Sequence, residues 1–275
     1  QAKGTVAKPG YELPNAAEWE SQPVEWERKV IRQAKSLTDK PFGAFSRDDL
    51  EFMQMVVDEG VPVVVNAGRH PGPMTEFYKR HGVKVVHMGS TVKHASTCQK
   101  VGVDAFVMAG YEGGGHNPGG HENLTTFASV PQCVDAVDIP VIACGGIGDG
   151  RGIVAALALG AEGGRIGTRF LATEEAACHH NHKMAVVQAP DTGTVRWGDV
   201  IRSAKNPFVD GLYEAETSGA PLEKIAAYLG GESLTSAALQ RRILGEVDGD
   251  LQNGEVHAGQ ISGLIKEVLP AAEVI

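Results

Sequence analysis

Short runs of β-branched and other apolar residues alternate along this chain with longer stretches whose apolar positions recur every three to four residues. The runs Pro41–Phe45, Pro62–Val65, Val83–His87, Asp104–Met108, Pro140–Cys144 and Gly163–Ile166 are the expected strands. Between them, Asp48–Glu59, Met74–His81, Thr91–Val101, Pro131–Val137 and Arg151–Leu159 carry the spacing of amphipathic helices, each able to cover one strand pair. This succession predicts an α/β protein with a parallel sheet or barrel. Most of the strands are nearly continuous in apolar residues, the pattern of strands buried on both faces, so a parallel barrel is favoured over an antiparallel sandwich.

The flanks carry less pattern. Gln1–Ala7 reads as one further strand, Trp26–Leu37 as a helix with a polar face, and the stretch from Pro9 to Pro23 is polar and without period. The opening strand of a closed eight-stranded barrel is not visible. After Ile166, Glu174–Gln188 reads as the last barrel helix, and Asp191 to Ile275 as helices interrupted by Gly- and Pro-containing loops. The expected organisation is a (βα)8 TIM barrel over residues 1–190, incomplete at its N-terminus, with a helical extension over 191–275 packed on it. A chain of 275 residues suits one such barrel.

Composition narrows the function. The formal charge is −9 and no Lys/Arg run is dense enough to track a phosphate backbone, so nucleic acid is not an expected partner. No apolar run approaches the roughly 20 residues of a membrane span, and the first ten residues lack the apolar core of a signal peptide; a cytoplasmic protein is expected. The four cysteines lie far apart and read as reduced, mostly buried thiols. Thirty-five glycines, many beside β-branched runs, suit tight turns and close approach of backbone to a ligand.

Two glycine-rich stretches carry candidate chemistry. In Pro140–Gly152 and Gly163–Arg169, a strand ends in glycine, which presents bare N–H groups at the C-terminal rim of two consecutive strands. Barrels commonly hold a phosphate there, helped by helix N-termini, and Gly145, Gly146, Gly167 and Thr168 are the expected holders. Glycines that serve only tight βα turns are the plainer alternative, though it explains two adjacent motifs less well than one. The second stretch, Gly110–Leu124, is a long loop after the Asp104–Met108 strand that brings His116 and His121 to the barrel mouth. His116 follows three glycines and is the candidate general base, with a solvated or packing histidine as the alternative reading; for His121 the plainer reading is preferred.

His179, His180 and His182 lie beside Cys178, but no further ligand is evident, and surface histidines near a helix start are the expectation; no metal is expected. The run Gly146-x-Gly148-x-Gly150-x-Gly152 has the wrong spacing for a dinucleotide fingerprint. Neither a nucleophile elbow nor a P-loop occurs.

Taken in order, Lys40-Pro-Phe-Gly43, Gly102-Val-Asp-Ala105, Glu112-Gly-Gly-Gly-His116, Pro140–Gly152, Ala155–Ala161 and Gly167–Ala172 resemble the nitronate monooxygenase (2-nitropropane dioxygenase-like) family. More loosely they resemble the flavin-dependent enoyl-acyl-carrier-protein reductases. The resemblance runs from about Trp26 to Ala189 and returns at Gly259–Ile265. It implies an FMN-binding barrel in which His116 is the base and Gly114, Gly145, Gly146, Gly167 and Thr168 hold the flavin. Three departures stand out: Phe45 where relatives often carry an asparagine that helps hold FMN, Met88 where some carry lysine, and Ala109 where many carry a polar or acidic side chain. The implied reaction is oxidation of alkyl nitronates or nitroalkanes with O2. The alternatives are an NAD(P)H-dependent enoyl or quinone reductase and a catalytically weak flavin-binding protein. Each takes a small-molecule partner, and a homo-oligomer is compatible with all three.

Overall fold

The computed structural model describes residues 23–68, 70–116, 123–198, 200–230 and 234–275. The expected strand Gln1–Ala7, the irregular stretch that follows it, and His121 lie outside the described residues. The chain enters through helix α1 (Pro23–Leu37) and then alternates β1 (Gly43–Phe45), α2 (Leu50–Asp58), β2 (Val63–Ala67), α3 (Gly72–Arg80), β3 (Lys84–Gly89), α4 (Val92–Lys100) and β4 (Ala105–Ala109). A short strand β5 (Gly115–His116) precedes α5 (Thr126–Val134), β6 (Val141–Cys144), α6 (Gly150–Ala158) and β7 (Gly163–Arg165).

Six of these strands form one parallel sheet in the order β1-β2-β3-β4-β6-β7. A parallel crossover is right-handed, so an order that never reverses sends every connecting helix to the same face. The sheet therefore curls as a barrel wall, helices outside, and the chain has the α/β barrel architecture that its sequence predicts. Strand parity separates the two faces. Val64, Val85, Phe106, Met108, Val141 and Ala143 point outward and pack against Phe52, Val56, Tyr78, Cys98, Val130 and Ala156 of the helices. The alternate positions Ala67, Val86, Met88, Val107, Ala109, Ile142 and Cys144 face inward as a smaller apolar cluster.

Local signals set the helix starts. Asp49 accepts from the Phe52 N–H at 3.0 Å and opens α2, while Thr91 accepts from the His94 N–H at 3.2 Å and opens α4. α1 is held to the end of α2 by Glu59, a buried carboxylate 2.8 Å from Arg32 and 3.0 Å from Arg28. The Arg32 hydrogen bond leads the causes that keep its carboxyl below the ordinary carboxylate range.

Three expectations change. The helix expected over Pro131–Val137 begins at Thr126, because the Glu112 carboxylate, distant in sequence, accepts from the Thr126 N–H. Pro131 is tolerated inside it because Phe127, whose carbonyl loses its i+4 donor there, lies on the exposed face. The last barrel helix, expected over Glu174–Gln188, is shortened to α8 (His180–Val187) and is preceded by a separate short helix α7 (Thr168–Leu171), with Thr173 bridging to Leu269 between the two. The region 191–275 is not purely helical: β8 (Thr194–Trp197) and β9 (Ile201–Ala204) precede helices α9 (Pro207–Thr217), α10 (Leu222–Leu229) and α11 (Leu234–Glu246), a 3-10 turn over Gln260–Leu264, and α12 (Ala271–Val274). β8 and β9 pair antiparallel, and β9 also pairs with β5. Among the described residues no helix is long and apolar enough to cross a membrane.

Phe106, fully buried on the outward face of β4, tests the helix layer. Phe106→Ala is expected to cost about 3–5 kcal/mol in urea unfolding with an unchanged denaturant slope. A loss below about 1 kcal/mol would mean that the outer face is not packed as described.

Candidate active site

The C-terminal ends of β3, β4, β6 and β7 open into a cavity of about 390 Å³. Met88, Ala109, Cys144 and Arg165 are its inward-facing strand residues, and pairing sets Ala109 beside Cys144 and Cys144 beside Arg165. Gly113–His116, Gly145–Ile147, Gly167 and Thr168 line it from the loops, and Arg242, Glu246, His257, Gly259 and Ile261 from the C-terminal region. The expected holders Gly114, Gly145, Gly146, Gly167 and Thr168 are thus brought together with His116.

Among the described residues, the walls at β6 and β7 present backbone donors without acceptors. Gly145 and Gly146 have φ of 103° and 69°, a backbone that a side chain would strain. Within the described residues no hydrogen bond engages the backbone N–H groups of Gly146, Ile147 or Thr168, although Ile147 and Thr168 are buried. Buried amide donors of this kind call for an acceptor. The source of these donors differs from the sequence expectation in two respects. Asp149 accepts from the Arg151 N–H at 2.9 Å and caps α6, so the donors belong to the turn before that helix and not to its first turn. The Thr168 hydroxyl is tied to the C-terminal segment, accepting from the Gly259 N–H at 3.0 Å, while its own O–H and the Thr168 backbone N–H both remain able to donate.

The described part of the loop after β4, residues 110–116, is tied down at several points. The Glu112 carboxylate accepts from the Thr126 N–H at 2.9 and 3.0 Å and from its hydroxyl at 3.1 Å. Gly114 passes so close to the C-terminal segment that a Cβ would lie 2.5 Å from the Gly259 nitrogen. His116 pairs with Ile201 of β9. Next to that pair, the buried Arg202 donates to the Tyr111 carbonyl at 3.2 Å and lies 4.4 Å over the Tyr111 ring.

The His116 ring stands edge-on to His257, with centroids 5.8 Å apart. Burial, then the charges of His257 and Arg242, lower its pKa from 6.5, while Glu255 pulls the other way. The imidazole is therefore neutral near pH 7 and able to take a proton. Behind it, His257 Nδ1 and Nε2 lie 3.5 Å from Glu246 and 3.3 Å from Glu255. Glu255 is almost fully buried; burial pushes its carboxyl up, but bonds from His257, from Ser203 at 2.6 Å and from Trp197 at 3.0 Å hold it below its ordinary value.

Arg165, Arg242, Glu246 and His257 carry no role in the sequence reading. Arg165 was legible in part, since it sits at an inward position of the Gly163–Ile166 strand. The others come from a region without barrel pattern. The Arg165 guanidinium donates to Met88 Sδ at 2.6 Å, and it opposes the burial that raises the Cys144 thiol pKa. The histidines near Cys178 are not all on the surface: His179 caps α8, whereas His182 is buried with Nε2 3.2 Å from the His257 carbonyl.

The fold and this cavity define an α/β barrel protein with a cavity at the strand C-termini, the end at which barrel enzymes carry their active sites. The nitronate monooxygenase family model matches residues 46–275, and the chain belongs to that family. It is 33% identical over 185 residues to a Staphylococcus saprophyticus protein described as "Probable nitronate monooxygenase", covering 62% of this chain and 52% of the relative. It is 31% identical over 285 residues to the (3aS,4S,5R,7aS)-5-hydroxy-7a-methyl-1-oxo-octahydro-1H-indene-4-carboxyl-CoA dehydrogenase of Mycobacterium tuberculosis, covering 90% of this chain and 79% of that protein. The structure of FabK from Thermotoga maritima superposes with a TM-score of 0.81 at 31% identity, covering 93% of this chain and 80% of that one. The chain spans about half the length of the curated nitronate monooxygenases it matches.

Glu112→Ala would remove the acceptor that starts α5. It is expected to cost about 0.5–2 kcal/mol in equilibrium unfolding. An unchanged unfolding midpoint would show that the loop is held by its glycine contacts alone.

Proposed function

We propose that the protein is a flavin-dependent oxidoreductase that holds FMN in the glycine-lined cavity and oxidises nitroalkanes or alkyl nitronates with O2. The observation that carries this reading is His116, disfavoured as a cation and held by strand pairing, lining the same cavity as unpaired amide donors. The Gly146, Ile147 and Thr168 N–H groups would hold the phosphate, with Gly145, Gly167 and Gly114 giving the flavin close approach. FMN held there would supply two-electron redox chemistry between the substrate and O2. His116 takes the α-proton of a neutral nitroalkane on an imidazole nitrogen, leaving a nitronate. Arg165 and Arg242 bring positive charge to the same cavity and stabilise that anion. Met88 and Ala109 cannot donate hydrogen bonds as a lysine or polar side chain would, and Arg165, already in contact with Met88, supplies the donor on that wall.

A second reading has support of its own. The CoA dehydrogenase relative aligns with nine-tenths of this chain. An acyl thioester also has an acidic α-carbon, so the same base and cationic side chains would serve oxidoreduction of a CoA or carrier-protein thioester. Oxygen uptake with a nitronate distinguishes the first reading. Anaerobic bleaching of the flavin by NAD(P)H distinguishes the reductase form of the second.

The protein is expected to purify with non-covalent FMN, and Gly146→Val to lose it while the barrel stays folded by circular dichroism. Full flavin content in that variant would overturn the phosphate placement. His116→Asn is expected to retain FMN and lose about 10²–10⁴ in rate with a nitroalkane, but far less with a pre-formed nitronate. Because the folded pKa of His116 is lowered, kcat/KM for the nitroalkane should be constant at neutral pH and fall only below pH 6.5. Equal losses with both substrates, or an inflection above 6.5, would remove His116 as the base.

A further inference from the structure

We propose that His87, His94 and Cys98 form a cation site between the sheet and the helix layer, suited to a borderline divalent metal such as Zn2+ and separate from the flavin cavity. Among the described residues this is the one group of three metal-ligating side chains whose ligand atoms all lie within 4.8 Å of one another. His87 and Met88 are neighbours on β3 with opposite parity: Met88 faces the cavity, whereas His87 points outward to α4. On α4, His94 and Cys98 are four residues apart, one turn of the same helix face. His87 Nε2 and His94 Nε2 stand 3.0 Å apart. Two imidazole ligands about 2.0–2.1 Å from a tetrahedral Zn2+ are about 3.3 Å apart, so the pair needs only a small opening.

The surroundings prepare these atoms. The His87 Nδ1–H donates to the buried Asn66 Oδ1, which leaves the lone pair on Nε2, facing His94. Gly89 makes room for the His94 ring, since a Cβ there would lie 2.3 Å from His94 Nδ1. His87 and Cys98 are essentially inaccessible to solvent, and His94 is half-buried. Burial, helped by Cys133, raises the Cys98 thiol to about 12; burial, then His94 and His70, lowers His87 to about 4. Without a cation the three groups are neutral. Binding would convert the thiol to a thiolate, its proton leaving to solvent as the S–metal bond forms. Two imidazoles and one thiolate match zinc better than a hard, oxygen-seeking cation, with a fourth position left to water. The bound ion would clip α4 to β3 directly behind Met88.

The competing account is a neutral His87–His94 hydrogen bond with a bystander thiol. Titrating the full chain with Zn2+ against a chromophoric chelator, and with Co2+ followed by absorbance, separates the two. One Zn2+ per chain is expected, with a thiolate-to-cobalt charge-transfer band, and a higher Tm when Zn2+ is added. Cys98→Ser and His94→Gln should each abolish the band and the Tm shift, and Asn66→Ala should weaken Zn2+ binding by about 10–100-fold. Circular dichroism of each variant checks folding, and a His179→Ala/His180→Ala variant should bind as the parent does. No stoichiometric uptake, uptake unchanged in a folded Cys98→Ser variant, or uptake lost only with His179 and His180 would overturn the site.

Discussion

The structure depends on the parallel register that places Ala109, Cys144 and Arg165 side by side at the ends of β4, β6 and β7. Because the strand order never reverses, all three inward side chains share a rim, and every loop that follows them is delivered to the same cavity. The rim is apolar at Ala109, softly polar at Cys144 and cationic at Arg165. That gradient sets the field across the cavity before any ligand arrives. The glycines at 145 and 146 bend the chain there through backbone shapes that side-chain-bearing residues adopt only with strain.

The C-terminal region completes what the sheet begins. β9 takes β5 as a partner, and this pairing gives the His116 backbone a fixed direction. Helix α11 and the segment at Glu255–Gly259 then bring Arg242, Glu246, His257 and Glu255 around the imidazole. Two carboxylates and two basic groups, one of them a second histidine, thus surround His116, and the net effect with burial is to disfavour its protonated form. Glu255 keeps its charge in spite of burial because its oxygens are shared among Trp197, Ser203 and His257.

How much of this was legible depends on whether the determining contacts were local. The six barrel strands, their order and the helix starts at Asp49 and Thr91 follow from parity, period and caps within a few residues. The start of α5 was misread because its cap, Glu112, is 14 residues away in sequence. The β8–β9 hairpin was absorbed into a helical reading although Thr194–Trp197 alternates partly and fully buried residues; with only four residues per strand, the period-two signal is too short to stand out. His182 was taken for a surface residue because nothing in its own segment reveals the His257 carbonyl above it.

The sequence by itself determined the barrel class, the rim position of the glycine motifs, His116 as the histidine to watch and membership of a flavin-associated family. The barrel class and the placement of the glycines rest on short-range periodicity and on glycine backbone freedom, which a linear pattern records; the family rests on the resemblance of its ordered motifs. Only the tertiary structure decided which groups surround that histidine. The same holds for the hydroxyl of Thr168, which accepts from the Gly259 N–H, and for the amides of Gly146, Ile147 and Thr168, which meet no acceptor among the described residues. It holds also for His87, His94 and Cys98: strand parity turns His87 away from the cavity and helix geometry turns the other two toward it. These are outcomes of three-dimensional proximity between segments as far apart as His116 and His257, 141 positions along the chain, and chain entropy leaves no local trace of them.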